Sequence, residues 1–265
     1  MTPQSPGTSY DSVSDLYDAV RPGYPQPLYR DICALLSVQP HSSVLDIGCG
    51  TGKSTRVFAG HGHPVVALDP GDSMLSRCRA NLGNHPSVEF VNSSLEAWDS
   101  GNRVFDLVIS GTAFHWVNDD ELQRTCALID SQGGIAIFWH TFLNGQGPFF
   151  ATLDAIYHEF ARELYVDDLN ATQQVVDYDK EQAFARVRSL SDVRFLRYYT
   201  QQRYSADEYV GLLRTFSTHR SLEPAFFKAV HDSIERDGGF IEKPIRTTCL
   251  VARPRRSPEG GTPET

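Results

Sequence analysis

The stretch VLDIGCGTGKS at residues 44–54 decides the fold, because a short apolar run leads into a glycine-rich turn that opens a helix-compatible segment. A phosphate-binding P-loop would end in the same GKS, but its first glycine would fall on Ile47. A dinucleotide-binding GxGxxG turn would need its third glycine at Lys53. The pattern that remains is GxGxG, with Gly48, Gly50 and Gly52.

Two acidic residues beside this turn indicate the chemistry of its ligand. Asp46 lies two residues before the first glycine, where its carboxylate would repel a pyrophosphate and attract an ammonium group. Asp69 ends the next apolar run, where a carboxylate is placed to accept hydrogen bonds from a ribose diol. The two positions together favour a nucleoside that carries an amino acid.

Apolar runs and helix-compatible stretches alternate along the chain. Strands are predicted at 43–47, 64–68, 88–92, 104–110 and 135–139, with helices at 54–60, 73–82 and 120–129. This order is typical of a Rossmann-like, doubly wound α/β fold, in which helices cover both faces of a parallel sheet. Helices at 206–216 and 224–237 and strands at 193–199 and 247–252 follow. The prediction is a seven-stranded, mostly parallel sheet with an antiparallel terminal strand, the last two strands forming a hairpin at its edge.

The same pattern divides the chain into segments. The core is expected over 41–141 and 191–254, preceded by an N-terminal helical cover over 1–40. Residues 142–190 predict a helical, aromatic-rich lid insertion, because the stretch is too long for a plain loop. Residues 255–265 are rich in proline, glycine and charge and are expected to be disordered.

Four stretches carry a resemblance to a known family. VLDIGCGTGKST at 44–55 and VVALDPGDSML at 65–75 resemble motifs I and II of class I S-adenosylmethionine-dependent methyltransferases. YDAVRPGYP at 17–25 and SGTAFHWV at 110–117 are similar to its small-molecule branch, which includes methyltransferase type 11 and trans-aconitate methyltransferase-like enzymes. The resemblance covers nearly the whole chain and implies an enzyme with S-adenosyl-L-methionine as cofactor.

The resemblance also implies which residues hold the cofactor. The three glycines would admit the methionine part, Asp46 would bind its amino group, and Asp69 would hold the ribose hydroxyls. Ser94 and Leu95 stand where the family usually has an Asp-Ala pair, so the Ser94 hydroxyl either contacts adenine or bonds its own turn. The implied cofactor-binding set is Asp46, Gly48, Gly50, Gly52, Asp69, Pro70, Met74, Ser94, Leu95, Ser110 and Arg21.

The acceptor side is predicted less specifically. His115 and His140 follow the fourth and fifth strands and are the candidate catalytic bases, needed only if the accepting atom carries a proton. Arg21 either pairs with a carboxylate of the cofactor or substrate, or ends a helix with its side chain in solvent. The aromatic residues expected to contact the substrate are Tyr17, Tyr24 and Trp116.

Composition sets the class of partner. With 24 Lys and Arg against 33 Asp and Glu, the net charge of −9 argues against broad nucleic-acid binding and favours a small-molecule substrate. No apolar run has membrane-spanning length, and the five cysteines form no close pair, so a cytoplasmic location is expected. His61 and His63 lack metal-ligand spacing and are expected in solvent, so no metal is implied.

The sequence therefore predicts a methyltransferase that acts by in-line displacement on a small molecule. The acceptor is a carboxylic acid or an oxygen or carbon nucleophile of a natural product, which would place the enzyme in secondary metabolism. Two alternatives stay open. One is a nicotinamide-dependent oxidoreductase, which Lys53 and Asp46 disfavour, and the other is a non-catalytic cofactor-binding protein on the same fold.

Overall fold

Seven strands form one sheet in the order β3-β2-β1-β4-β5-β7-β6. The structure is a computed structural model that describes residues 13–83, 85–113, 119–164, 181–182, 184 and 187–255. Strands β1 to β5 run parallel, and β7 runs antiparallel to both of its neighbours, which confirms the predicted fold class. The strands are β1 (Val44–Ile47), β2 (Val65–Asp69), β3 (Val88–Asn92), β4 (Phe105–Gly111), β5 (Ile129–Phe142), β6 (Leu190–Ser205) and β7 (Phe240–Pro254).

Eight α-helices and two short 3-10 helices lie within the described residues. The first two α-helices precede the sheet, the next three connect its parallel strands, and the last three flank β6. They are α1 (Ser14–Val20), α2 (Gln26–Leu36), α3 (Thr55–Gly60), α4 (Asp72–Leu82), α5 (Asp119–Ala127), α6 (Pro148–Phe160), α7 (Ala206–Arg214) and α8 (Pro224–Arg236), with 3-10 turns at Arg162–Leu164 and Ser217–His219. None of these helices is long and apolar enough to cross a lipid bilayer.

The central strands place the candidate site at one edge of the sheet. Every residue of β1 and β2 is buried, as expected for parallel strands covered on both faces. Asp46 pairs in register with Ala67 of β2 and Ile109 of β4, so the carboxyl ends of the three strands lie level. The strand order reverses at β1, which is where ligands bind in doubly wound sheets.

Three strands are longer than predicted. β5 begins at Ile129 rather than 135, so the helix predicted to end at 129 stops at Ala127. β6 and β7 pair continuously between Leu190↔Pro254 and Ser205↔Phe240, apart from a register shift after Ser191. They form the expected antiparallel pair at the sheet edge, but α7 and α8 lie between them in the chain, so they are not a tight hairpin.

Helices α6, α7 and α8 share an apolar core of their own. Phe149 and Leu153 of α6 belong to the same buried cluster as Tyr209 of α7 and Phe226 of α8. Val20 of α1 also belongs to it, which joins the N-terminal segment to this layer. The segment boundaries expected at residues 40, 141 and 190 remain predictions, and most of the expected tail, 256–265, lies outside the described residues.

Candidate functional site

The backbone of the glycine turn has a conformation that disfavours residues with a side chain. Gly48, Gly50 and Gly52 have φ angles of +68°, +55° and +86°, in the left-handed region. A Cβ on Gly48 would lie 2.4 Å from the Cβ of Ala113, whereas one on Gly50 would meet no atom within 4 Å. The turn therefore packs tightly on one side and leaves backbone open to a ligand at Gly50.

The N–H groups of this turn are already hydrogen-bonded to the end of β2. Gly48 and Cys49 donate to the carbonyl of Leu68 at 2.8 and 3.1 Å, and Gly50 donates to Asp69 Oδ2 at 2.8 Å. A P-loop needs such N–H groups free to hold phosphate oxygens. Here a carboxylate occupies one of them, so the turn is not built for a phosphate.

Asp46 lies beneath the turn and is fully buried. Its Oδ2 accepts hydrogen bonds from the hydroxyls of Ser54 and Thr55, both at 2.7 Å, while Oδ1 has no hydrogen-bond partner among the described residues. Burial raises the pKa of Asp46 to about 6, and the two hydroxyls oppose that shift. A mostly ionised carboxylate with one unsatisfied oxygen fits a ligand that supplies a cationic donor.

The other residues expected around the cofactor occupy different environments. Ser110 is buried and donates to the last carbonyl of β1 at 2.8 Å, so its hydroxyl ties β4 to β1. Met74 and Leu95 are buried, and Pro70 is half-buried beside Asp69. Ser94 Oγ accepts a hydrogen bond from the backbone N–H three residues later at 3.2 Å, as in the alternative that it bonds its own turn.

The N-terminal segment covers the glycine turn. Arg21 is half-buried rather than in solvent: its Nε donates to Thr215 Oγ1 at 2.8 Å, and its guanidinium stacks on Phe216 at 4.3 Å and on Tyr17 at 5.1 Å. Lys53 Nζ donates to the carbonyl of Asp18 at 2.8 Å, which fastens α1 to the turn. Arg21, Tyr17 and Lys53 enclose with the turn a cavity of about 30 Å³.

A larger cavity of about 290 Å³ lies between the ends of β5 and β7 and helices α6 and α7. His140 lines both cavities, so the large one adjoins the glycine turn. Most of its lining is apolar or aromatic. The described residues that line it are His140, Thr141, Phe142, Asn144, Leu153, Asp154, Tyr157, Leu164, Tyr209, Leu212, Leu213, Phe216, Thr218, His219 and Lys243.

His140 is held in place between the two cavities. Its ring stacks on Tyr24 at 4.8 Å, and its Nδ1 lies 2.9 Å from Thr247 Oγ1. The Tyr24 hydroxyl in turn lies 3.0 Å from Thr112 Oγ1. Burial, and next the charge of Arg21, lower the pKa of His140 to about 4, so the imidazole is neutral at pH 7 and a weak proton acceptor.

The predicted base His115 and the predicted substrate contact Trp116 lie outside the described residues. His63 corrects the expectation of solvent exposure: it is buried, with Nε2 3.0 Å from the Tyr29 hydroxyl and Nδ1 3.0 Å from the Ser42 carbonyl oxygen. Within the described ranges, no three His, Cys, Asp or Glu side chains cluster as a metal site would require.

No prediction from the sequence covers two polar residues of the large cavity, His219 and Lys243. His219 Nε2 lies 2.6 Å from the Tyr157 hydroxyl, and burial lowers the pKa of His219 to about 4. Lys243 is 4% exposed and donates to Asn144 Oδ1 at 3.2 Å. A signal for Lys243 was present, because it alternates with Ile241 and Ile245 on the buried face of β7.

Comparison with known proteins identifies the family. A family model described as a methyltransferase domain matches residues 44–131. The Saccharomyces cerevisiae protein named "Probable S-adenosylmethionine-dependent methyltransferase CRG1" is 31% identical over 201 residues, which cover 72% of this chain and 67% of that protein. The chain belongs to the S-adenosylmethionine-dependent methyltransferases. The methyltransferase is also 30% identical over 112 residues to the trans-aconitate 2-methyltransferase of Variovorax paradoxus, covering 41% of this chain and 42% of that enzyme.

The fold of the methyltransferase has a solved counterpart. A proposed type II methyltransferase from Anaeromyxobacter dehalogenans superposes with a TM-score of 0.60 at 21% identity, over 88% of this chain and 95% of that one. Several other curated relatives are matched over about half of their length, from 48 to 52%. The resemblance found in the sequence is confirmed, and the nicotinamide-dependent oxidoreductase was the wrong alternative.

The cofactor of this family, S-adenosyl-L-methionine, fits the residues of the turn. Its ammonium group matches the unsatisfied Oδ1 of Asp46, and the open backbone at Gly50 can admit its methionine part. The carboxylate of Asp69 is fixed at the end of β2 by N–H donors from Gly50 and Gly71 at 2.8 Å each, and a carboxylate is an acceptor that suits hydroxyl donors.

Proposed function

We propose that the methyltransferase transfers a methyl group from S-adenosyl-L-methionine to a small-molecule acceptor bound in the 290 Å³ cavity. The acceptor is a carboxylic acid or an oxygen or carbon nucleophile of a natural product, in secondary metabolism. The observation that carries this proposal is the position of His140, which lines both this cavity and the glycine turn. An acceptor bound in the large cavity would therefore lie beside a cofactor bound at the glycine turn.

On the cofactor side, the residues of the protein bind and orient the cofactor. Asp46 accepts from the ammonium group, Asp69 accepts from the ribose hydroxyls, and Arg21 neutralises a carboxylate at the cover. When bound, the cofactor supplies a methyl group on a sulfonium, whose carbon bonds to the acceptor by in-line displacement while the electron pair stays on sulfur. Alignment and exclusion of water are then the main tasks of the protein.

On the acceptor side, the cavity supplies position and shape more than acid–base chemistry. Phe142, Leu153 and Phe216 give it an apolar wall that keeps water away from an acceptor. His140 and His219 are both neutral at pH 7, since burial lowers the pKa of each to about 4. An acceptor that needs no deprotonation, such as a carboxylate, fits these groups best, and His115 stays the predicted base for a hydroxyl or carbon acid.

The setting of the enzyme is also a proposal. The net charge of −9 supports a small-molecule acceptor rather than nucleic acid, and none of the described helices would span a membrane. Cys33, Cys49, Cys78, Cys126 and Cys249 are all free thiols, which supports a reducing, cytoplasmic location.

Calorimetric titration followed by turnover tests the proposal. S-adenosylhomocysteine is expected to bind while NADH does not, and the tritiated methyl group of S-adenosylmethionine is expected to pass to one of a series of acids, phenols and carbon nucleophiles. Failure of S-adenosylhomocysteine to bind would overturn the cofactor site. Tight binding without transfer to any acceptor of the series would favour the non-catalytic alternative.

A further inference from the structure

Lys243 is an unusual residue for the wall of an apolar cavity. It lies on β7, is almost completely buried, and lines the 290 Å³ cavity. Buried lysines are rare unless a counter-charge accompanies them, because removing an ammonium group from water is costly. No described carboxylate lies within 4.0 Å of the Lys243 ammonium group, which makes no ion pair in the described part of the chain.

The contacts of the ammonium group leave donors unused. One N–H donates to Asn144 Oδ1 at 3.2 Å, and Asn144 Nδ2 in turn donates to Asp154 Oδ1 at 3.3 Å. The rings of Phe150 and Tyr209 lie 5.2 and 5.8 Å from Lys243 Nζ. An ammonium group has three N–H donors, and only one has an acceptor among the described residues.

Lys243 is also the single cation among the described residues that line this cavity. His219 does not compete for an anion, because it is neutral and its Nε2 and Nδ1 face the hydroxyls of Tyr157 and Thr218. Burial lowers the pKa of Lys243 to about 8, and the nearby charge of Asp154 opposes the shift. The ammonium form therefore predominates at pH 7.

The register of the sheet separates Lys243 from the cofactor end of the cavity. His140 pairs with Thr247, which is four residues further along β7. Four residues of extended strand span about 13 Å. Since residues 243 and 247 have the same parity, their side chains lie on the same face of the sheet. The cavity thus has a cofactor end at His140 and a cationic end at Lys243.

We propose that Lys243 binds a carboxylate tail of the acceptor, distinct from the atom that receives the methyl group. This inference rests on the proposed function and narrows its substrate class. The acceptor is an elongated, mostly apolar acid whose nucleophile lies at the opposite end from the anchored carboxylate. The apolar walls contact the middle of the acceptor, and the ion pair with Lys243 orients it so that the nucleophile faces the cofactor end of the cavity.

Matched acids and amides test the anchor directly. The probes are 4-hydroxycinnamate and 4-hydroxybenzoate, each compared with its primary amide, which has nearly the same shape but no charge. Each is titrated calorimetrically at pH 7 into the full chain saturated with S-adenosylhomocysteine. We expect at least one acid to bind tenfold or more tightly than its amide.

Variants assign that preference to one residue. Lys243→Met should bring the acid-to-amide ratio close to one, whereas Lys243→Arg should keep a preference for the acid. Lys228→Met is the matched control, because Lys228 is exposed on α8 and pairs with Asp232. Unchanged affinity for S-adenosylhomocysteine shows that each variant is folded and that the proposed cofactor site is intact.

Two results would overturn the anchor. One is equal affinity for acid and amide in the unaltered protein, and the other is an acid preference that survives in Lys243→Met. Failure of the proposed function would look different, because S-adenosylhomocysteine itself would then not bind.

Discussion

Replacing Asp46 with asparagine is expected to move stability and cofactor affinity in opposite directions. Asparagine keeps an acceptor oxygen for Ser54 and Thr55 but removes the buried charge. The folded-state pKa of about 6 against 3.8 means that the ionised carboxylate costs the fold about 3 kcal/mol at pH 7. The asparagine N–H₂ has no acceptor in place of Oδ1, which costs about 1 to 2 kcal/mol. The net gain in unfolding free energy is about 1 to 2 kcal/mol.

The sign of the pH dependence follows from the same shift. Because the folded state holds the Asp46 proton to higher pH than the unfolded state, the contribution of Asp46 to stability falls as pH rises from about 4 to about 6. The lowered pKa values of His140 and His219 change total stability in the opposite direction over this range, so the effect of Asp46 is isolated by comparing the unaltered protein with Asp46→Asn. This fall should be absent in Asp46→Asn. Urea denaturation without cofactor, repeated between pH 4 and pH 8, measures it.

Cofactor affinity should decrease in the same variant. A charge-assisted hydrogen bond contributes about 1.5 to 3 kcal/mol, so the Kd for S-adenosylhomocysteine should rise about 10- to 150-fold. Asp106→Asn is the matched control, because Asp106 accepts from Ser43 at the opposite end of the sheet. The reasoning is refuted if Asp46→Asn binds S-adenosylhomocysteine as tightly as the unaltered protein, or if weaker binding accompanies a less stable fold.

Two further predictions concern the turn and the histidine between the cavities. Gly48→Ala should lower the Tm and weaken S-adenosylhomocysteine binding more than tenfold, since the left-handed backbone costs about 1 to 2 kcal/mol and the new Cβ would lie 2.4 Å from that of Ala113. Gly101 also has a positive φ, but a Cβ added there would meet open space, so Gly101→Ala should cost only the free energy of the left-handed backbone. Equal losses of Tm in the two variants would show that the clash with Ala113 has no effect. His140 should stay neutral down to about pH 5 in a ¹⁵N NMR titration, and an imidazole pKa near 6.5 would show that burial does not control it.

The core of the fold could be predicted because its signals are local. Each central strand is a short apolar run, and the glycine turn joins β1 to α3 within a few residues. A parallel strand that is buried on both faces has an almost continuously apolar sequence, which distinguishes it from a surface helix or a loop. The same locality placed Asp46, Asp69 and the three glycines at one edge of the sheet.

The outer strands could not be predicted to their full length. Residues 130–133 of β5 are polar or glycine, and they lie at the register shift between the pairs Phe105↔Ile129 and Leu107↔Gly134 of β4 and β5, so no apolar alternation marks them as strand. β6 lies at the sheet edge with mostly exposed or half-buried side chains, so its sequence carries little apolar alternation. Its length is set by pairing with β7, which is a tertiary effect.

Most of the acceptor side of the site could not be predicted from the sequence, because it too depends on tertiary packing. Tyr157, His219 and Lys243 come from α6, a 3-10 turn and β7, and no short motif joins them. Arg21 and Thr215 are 194 residues apart in the chain, and their hydrogen bond follows only from the packing of α1 on α7.

The contacts of Arg21 also join the two cavities. Arg21 lines the small cavity beside the glycine turn. Its Nε is hydrogen-bonded to Thr215 Oγ1, and its guanidinium stacks on Phe216, which lines the acceptor cavity. One side chain therefore forms part of the boundary on the cofactor side and supports the wall on the acceptor side.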